Sequence, residues 1–328
     1  VGLNAGNARL AFDMLSGELH GSIRTAQSEA AQGLAATLTG RMDAARSIET
    51  GAAFWAQATG SRTRMATDGN AASLTHGATG LMIGADAGFG AVRLGVAGGA
   101  SQHDYDSHAR AGSAEGTSLS LAAYGSGQWG ALGLKGAVSG TWHEVETERR
   151  VMFPGFAERL TADYDAETVH AFVEASWRVA MGPGATLEPF VNIARVRTDS
   201  DGFTETGGDA ALAVQGRVQA ASLATIGLGM SRSYDQGDGR TAVLSGRLGW
   251  RHAWDDTAGD GRHAFAASPT PAGVFTVHGL PITEDALITQ LGLDLDLKDR
   301  LSLTVDWSAQ LASHLNANTL AATLNWRF

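Results

Sequence analysis

Two periodicities follow one another along the chain. Over the first ~45 residues, Leu15, Leu19, Ile23, Ala26, Ala30, Leu34, Leu38 and Met42 recur every three to four positions, a helical stripe. Asn7 or Asp13 is placed to cap it. Gly17, Gly21, Gly33 and Gly40 each weaken such a helix by up to ~1 kcal/mol where exposed. Unbroken from Ala8 to Arg46 it would run roughly 58 Å, about twice the ~30 Å of a bilayer's hydrocarbon core. A break is therefore expected, or a portion outside any membrane.

From Gly51 onward the period becomes two. Leu119, Leu121 and Ala123 alternate with Ser118, Ser120 and Ala122; Ala171, Val173, Ala175 and Trp177 alternate with Glu174, Ser176 and Arg178. The last ten residues alternate most cleanly. Leu320, Ala322, Leu324, Trp326 and Phe328 share one face, and Thr319, Ala321, Thr323, Asn325 and Arg327 the other. Soluble strands usually run about 5–6 residues, whereas these run about 12–16, long enough to cross a bilayer at a tilt near 40°.

The pattern predicts twelve strands: 51–65, 73–87, 91–105, 114–128, 131–146, 160–179, 185–199, 217–232, 240–254, 284–297, 300–313 and 316–328. Connections after the even-numbered strands are tight, as at Gly88-Phe89-Gly90, Trp129-Gly130 and Lys298-Asp299. Those after strands one, three, five, seven and nine are longer, and Asp255–Thr283 is the longest. Short turns at one end and long loops at the other point to an all-β transmembrane barrel of twelve antiparallel strands. Pro154, Pro183, Pro269, Pro271 and Pro281 fall in connections; Pro189 falls inside a strand, where a missing N–H calls for a place near the short-turn start of strand seven or for a bulge.

Composition narrows the function. The chain has 328 residues, 43 of them glycine, and no transmembrane helix: the apolar stretch Leu81–Ala100 is interrupted by Asp86 and Arg93. A mean hydropathy of -0.07 suits a barrel, where alternate residues face water. The absence of cysteine excludes disulfides and thiolate chemistry, and a net charge of -10 argues against a nucleic-acid partner. With Val1 first and no signal peptide, the expectation is the C-terminal part of a longer polypeptide.

Motifs for catalysis or cofactors are weak. Gly125-Ser126-Gly127-Gln128-Trp129-Gly130 spells G-x-G-x-x-G, but a strand follows it where a nucleotide site needs a helix. No G-x-S-x-G elbow occurs. His143-Glu144 has no second histidine at zinc-protease spacing, and His103 and His108 read as solvated. No metal, cofactor or catalytic residue is assigned. A simple pore, or a hydrolase assembled in the barrel from residues such as Ser139 and His143, is the alternative. Charges of lumen parity carry more: Glu174, Arg178, Glu188, Arg247, Arg251, Asp294, Asp296 and Asp306. Such charges must be paired or hydrated, so they either line a wet channel or satisfy one another and whatever lies inside.

Several runs resemble the C-terminal translocator domain of type Va autotransporters. They are Asp13–Ser22 in the helix, Leu187-Glu188-Pro189-Phe190-Val191, Gly202–Gly208, Gly246–Ala253, Phe275–Ile282 and the terminal Trp326-Arg327-Phe328. The resemblance implies that the helix, with Leu15, Leu19, Ile23, Arg24 and Ala30, threads the lumen. There Arg9, Arg24, Glu29 or Arg41 would meet wall charges. It further implies an N-terminal passenger, with residues 1–48 as helix and linker and 49–328 as the barrel, and no activity in the barrel itself. A monomer in the outer membrane of a Gram-negative bacterium is expected, contacting lipid and lipopolysaccharide. The barrel assembly machinery would recognise Leu324, Trp326 and Phe328. Some relatives release the passenger by cyclising an asparagine at an Asn-Asn pair; here Asn4 and Asn7 stand apart.

Overall fold

A computed structural model of the chain describes residues 4–44, 51–268, 273–298 and 300–328. The helical stripe forms α1 (Ala5–Leu15) and α2 (Glu18–Ala44). Asn4 is the cap, its side chain accepting the Asn7 amide at 2.8 Å; Asn7 and Asp13, the expected caps, lie within the helix. The break falls at Ser16-Gly17. Gly17 adopts φ +70°, which costs glycine little, and a Cβ there would meet Leu212 at 2.4 Å.

The ring begins with β1 (Gly51–Met65), β2 (Leu74–Phe89), β3 (Val92–Ser107), β4 (Gly112–Trp129), β5 (Leu132–Phe153) and β6 (Phe156–Trp177). A short β7 (Val179–Gly182) continues β6, and β8 (Ala185–Ser200) returns. The ring ends with β11 (Arg217–Gly237), β12 (Arg240–Asp255), β15 (Asp285–Lys298), β16 (Leu301–Leu311) and β17 (Leu315–Arg327). Each strand pairs antiparallel with its neighbours, and β17 pairs with β1 from Ala53↔Arg327 to Met65↔Leu315, closing a barrel of twelve strands. Pro189 is accommodated where β6 gives way to β7: pairing to β8 stops at Ser176↔Phe190 and resumes at Val179↔Leu187. The turn Asp238-Gly239 has φ of +55° and +72°, as a two-residue hairpin requires. Asp299, Pro269, Pro271 and the expected domain boundary at 48–49 lie outside the described residues.

Every barrel strand turns large apolar side chains outward, among them Ile83, Val96, Leu121, Val173, Ile193, Leu248 and Leu320. Outward aromatics gather toward two levels. Phe54, Phe89, Trp129, Trp177 and Trp326 lie toward the short-turn ends, and Trp142, Trp254 and Trp307 nearer the other. An apolar band between aromatic girdles is what a bilayer selects. Among the described residues no helix is long and apolar enough to cross a membrane, which says nothing of strands.

Two features depart from the expected strands. β5 and β6 continue as a hairpin to Phe153↔Phe156, through residues read as a loop. Residues such as Glu146, Glu148 and Arg150 put polar groups on its outer side, so apolar alternation ends while pairing continues. The two longest loops also contain β9 (Phe203–Thr204), β10 (Leu212–Val214), β13 (Gly259–Phe265) and β14 (Phe275–Gly279), joined as one four-stranded sheet. This sheet and the β5–β6 hairpin seat the helix break. Met14 and Leu15 pack against Val151, Leu160, Ala210 and Ala211.

Candidate functional site, the helix-filled lumen

α2 runs through the barrel with most of its side chains buried. At the long-loop end the contact is backbone to backbone. A Cβ on Gly21 would lie 2.2 Å from the Gly259 carbonyl oxygen, and one on Gly279 would lie 2.5 Å from the Ser22 nitrogen. The Ser22 hydroxyl accepts the Leu280 amide at 3.0 Å.

Beside it Glu205 closes a buried clamp. Arg149 donates Nε–H and Nη2–H to its two oxygens, each at 2.7 Å; His20 Nε2 lies at 2.8 Å and the Leu212 amide at 2.9 Å. Arg149 also donates to the Met14 carbonyl at 2.9 Å, fastening α1 to the same point. Burial alone would push the Glu205 carboxyl up. The hydrogen bonds from Arg149 and His20 outweigh it and hold the group well below the ordinary carboxylate range. His263, whose Nδ1 lies 2.9 Å from the Ser16 carbonyl, is brought down to about 4, by burial first and then by His20.

At mid-height Arg251 from β12 grips Glu29 of α2 at 3.0 and 3.2 Å and donates to Gln310 at 2.7 Å. A hydroxyl–imidazole chain ties Ser28 to the wall: Ser28–Thr198 2.8 Å, Thr198–Thr168 3.0 Å, Thr168–His143 3.0 Å, His143–Ser118 2.7 Å.

Toward the short-turn end Asp86 is the hub. It accepts two bonds from Arg41 of α2 at 2.7 and 2.9 Å, one from Arg93 at 2.5 Å and one from the Tyr124 hydroxyl at 2.8 Å. Next to it Asp43 and Glu174 alternate with Lys135 and Arg247, at 2.5, 3.1, 3.2 and 2.7 Å. A charge out of bulk water needs such partners, and deleting one leaves the other uncompensated. The mid-height and short-turn layers have one result: helix and wall each complete the other's charge.

The family model for the autotransporter β-domain matches residues 54–308. The chain belongs to that family. It is 29% identical over 322 residues to an extracellular serine protease of Serratia marcescens, covering 96% of this chain but only 30% of that protein. Its fold is similar to the translocator domain of NalP from Neisseria meningitidis, with a TM-score of 0.72 at 17% identity, over 92% of this chain and 98% of that one. The Bordetella BrkA β-domain follows at 0.61 and 18% identity, over 85% of this chain and 100% of that one.

Within this β-domain the sequence-nominated charges divide. Glu174 and Arg247 meet in the four-charge cluster, and Arg251 meets Glu29. Arg178 and Glu188 pair at 4.0 Å, and Asp296 bonds to Arg327. Asp294 and Asp306 line, with Asp296, a cavity of about 650 Å³ at the short-turn end. Of the helix residues, Leu19 and Ile23 are buried, Ala30 is half-buried and Leu15 closes α1. Arg24 is also buried, but it bonds to the Asp260 carbonyl of the loop sheet, while Arg9 is exposed. His103, read as solvated, is hydrogen-bonded to His76 at 2.9 Å and Ser101 at 2.8 Å.

Leu324, Trp326 and Phe328 point outward. Trp326 stacks on Phe328 with centroids 5.9 Å apart, and Phe328 meets the edge of Phe54 at 5.3 Å. The G-x-G-x-x-G run ends β4 and turns directly into β5. Sequence reading left out Asp43 and Arg149, met Glu205 only within the Gly202–Gly208 run and Lys135 only as a polar position of its strand, and treated Asp86 and Arg93 only as interruptions of an apolar stretch. Strand parity was the available signal for Asp86, Arg93 and Lys135. Glu205 and Arg149 meet only through the loop sheet.

Proposed function

We propose that this β-domain anchors and exports an N-terminal passenger at the surface of a Gram-negative bacterium, residues 1–48 serving as helix and linker and 49–328 as the outer-membrane barrel. The carrying observation is the direction of α2. Its C-terminal end, at Arg41 and Asp43, lies among the short-turn residues Asp86 and Arg93, and its N-terminal end lies in the long-loop sheet. With short turns periplasmic, a polypeptide preceding α1 emerges outside the cell. The Serratia relative's name makes an extracellular serine protease the first passenger class to assay.

The same reading gives the barrel its surroundings: lipid and lipopolysaccharide around the apolar band, no second copy of the chain, and the barrel assembly machinery acting on Leu324, Trp326 and Phe328 during insertion. An epitope placed before Val1 tests the direction. On intact cells it should bind antibody, and an epitope in the Asp238-Gly239 turn should not. The opposite pattern overturns the proposal.

A hydrolase within the barrel has less support. Ser139 stands opposite His170 in register, and His143 bonds to Ser118 with Thr168, not a carboxylate, on its other nitrogen. The Ser–His–acid arrangement needs that third group. An esterase assay of the barrel and its Ser118→Ala and His143→Ala variants should detect nothing above background.

A further inference from the structure

We propose that the permeability barrier is an apolar collar near the surface end of the lumen, and that the rest of the helix–wall gap is a watery crevice open to the periplasm. The inference rests on the membrane orientation given above.

The crevice is marked by polar groups that the protein leaves without partners. Gln27 is only 1% exposed, yet neither end of its amide is bonded within the protein. The same holds for Gln57 Oε1, Gln32 Nε2 and His170 Nε2. These atoms line two lumen cavities, of about 140 Å³ (Gln27, Gln57) and about 110 Å³ (Gln32, His170). Buried polar groups of this kind are satisfied by water. The two cavities share Gly33, Gln310 and Thr319 in their walls. The second shares Arg247 and Gln290 with the 650 Å³ cavity at the short-turn end. Small helix residues, Gly33, Ala35 and Ala36 among them, leave this space.

Above Gln27, where His20 Nδ1 and Arg24 Nε also lack partners, the surroundings of the helix become mainly apolar on one side. Leu19, Ile23 and Ala26 of α2 meet one wall residue from each of six consecutive strands: Met65, Leu74, Tyr105, Ala114, Val145 and Tyr164. Met65↔Leu74, Tyr105↔Ala114 and Val145↔Tyr164 are direct cross-strand pairs, so the collar is continuous along that arc. Leu315 extends it on β17, and Leu280 of the loop sheet joins the same cluster. On the remaining arc Gln219 fills its bonds with Thr25 and the carbonyls of Thr257 and Ala258. An apolar constriction excludes water and ions far more effectively than a charged one. The ion-paired layers hold the helix; the collar seals it.

The chain has no cysteine, so single thiols report access without background. The barrel with its helix is inserted from one side into porin-free vesicles, and an impermeant charged methanethiosulfonate is added outside. Asp68→Cys, in an exposed long-loop turn, labels in the fraction f with the surface end outward, which one-sided insertion keeps away from one half. Thr241→Cys, in the short-turn cavity, should label in the complement. If these two fractions do not sum to one, the two ends do not lie on opposite sides of the bilayer and the membrane-spanning reading itself is wrong. Ala36→Cys and Thr37→Cys should label with the Thr241→Cys fraction. Adding Ile23→Ser should extend labelling to both populations and raise single-channel conductance, with Leu19→Ala as a second collar variant if the first loses the gel mobility of a folded barrel. Labelling of the crevice thiols in fraction f, in all barrels or in none, with the collar intact, overturns the proposal.

Discussion

Gly21 is the residue on which the long-loop end of the lumen turns. Its Cβ would fall 2.2 Å from a backbone oxygen, which no rotamer change relieves. Gly21→Ala is expected to cost about 1–3 kcal/mol, the range for overpacking a filled site. Gly33→Ala should be neutral or stabilising by up to ~1 kcal/mol, since its nearest contact would be 3.9 Å away. Denaturant midpoints of the refolded barrel decide between them. The Glu205 clamp makes a second prediction at this scale. A carboxyl with a depressed folded pKa contributes stability above its unfolded value near 4.5, and that contribution is lost as pH falls. His263 acts in the same direction: held neutral down to about 4, it disfavours the fold as pH drops below 6.5. Stability should therefore fall on acidification in two stretches, through His263 between about pH 6.5 and about pH 4 and through Glu205 below about pH 4.5. Glu205→Gln should lower stability by about 3–5 kcal/mol at neutral pH, because Arg149 loses its counter-charge, and flatten the acid dependence below about pH 4.5 while leaving the His263 stretch in place. Residues like these were only partly legible. Asp86 and Arg93 are visible as charges inside an apolar run, and strand parity puts both in the lumen. Glu205 has no such frame, because its loop lacks a period.

Element boundaries were legible where two faces meet different solvents. The predicted 51–65 strand coincides with β1, and most others differ by one or two residues, because lipid and lumen enforce the period of two. Beyond the apolar band that enforcement stops. This is why the outer parts of β5 and β6, and the whole of β9, β10, β13 and β14, were read as connections. Their pairing, such as Leu212↔Phe265, joins distant segments and leaves no local trace. The terminal element yields a prediction of its own. Trp326 and Phe328 are 58% and 60% exposed, stacked on each other, and Phe328 bonds to the Ala52 carbonyl at 3.0 Å. Before β17 pairs with β1, its apolar face and free backbone edge form a template for strand addition. Replacing both aromatics with serine should reduce outer-membrane insertion in cells more than refolding into detergent. Equal losses would assign them to stability alone, and normal insertion would remove the targeting role.

At the scale of the molecule, the barrel wall and its helix are separable in one respect and coupled in another. Closure belongs to the wall: the twelve strand pairings, from β1–β17 round to β8–β11, use no helix atom. Charge balance belongs to both. Without α2, Arg251 loses Glu29 and Asp86 loses Arg41, although Asp86 keeps Arg93, and Glu174 keeps Lys135 and Arg247. Most wall charges would thus retain a partner, and the emptied lumen would hydrate. A chain lacking residues 1–44 should still fold in detergent and run faster unheated than boiled, as a closed barrel does, but with a lower thermal midpoint. In planar bilayers its conductance should rise sharply over the intact chain. An unchanged conductance would place α2 outside the lumen in the membrane, and failure to form the heat-sensitive band would mean that the helix is needed to close the wall. Arg251→Met in the shortened chain separates the two contributions further. It removes the one mid-height wall charge left without its carboxylate, so it should recover part of the lost midpoint while leaving the raised conductance in place.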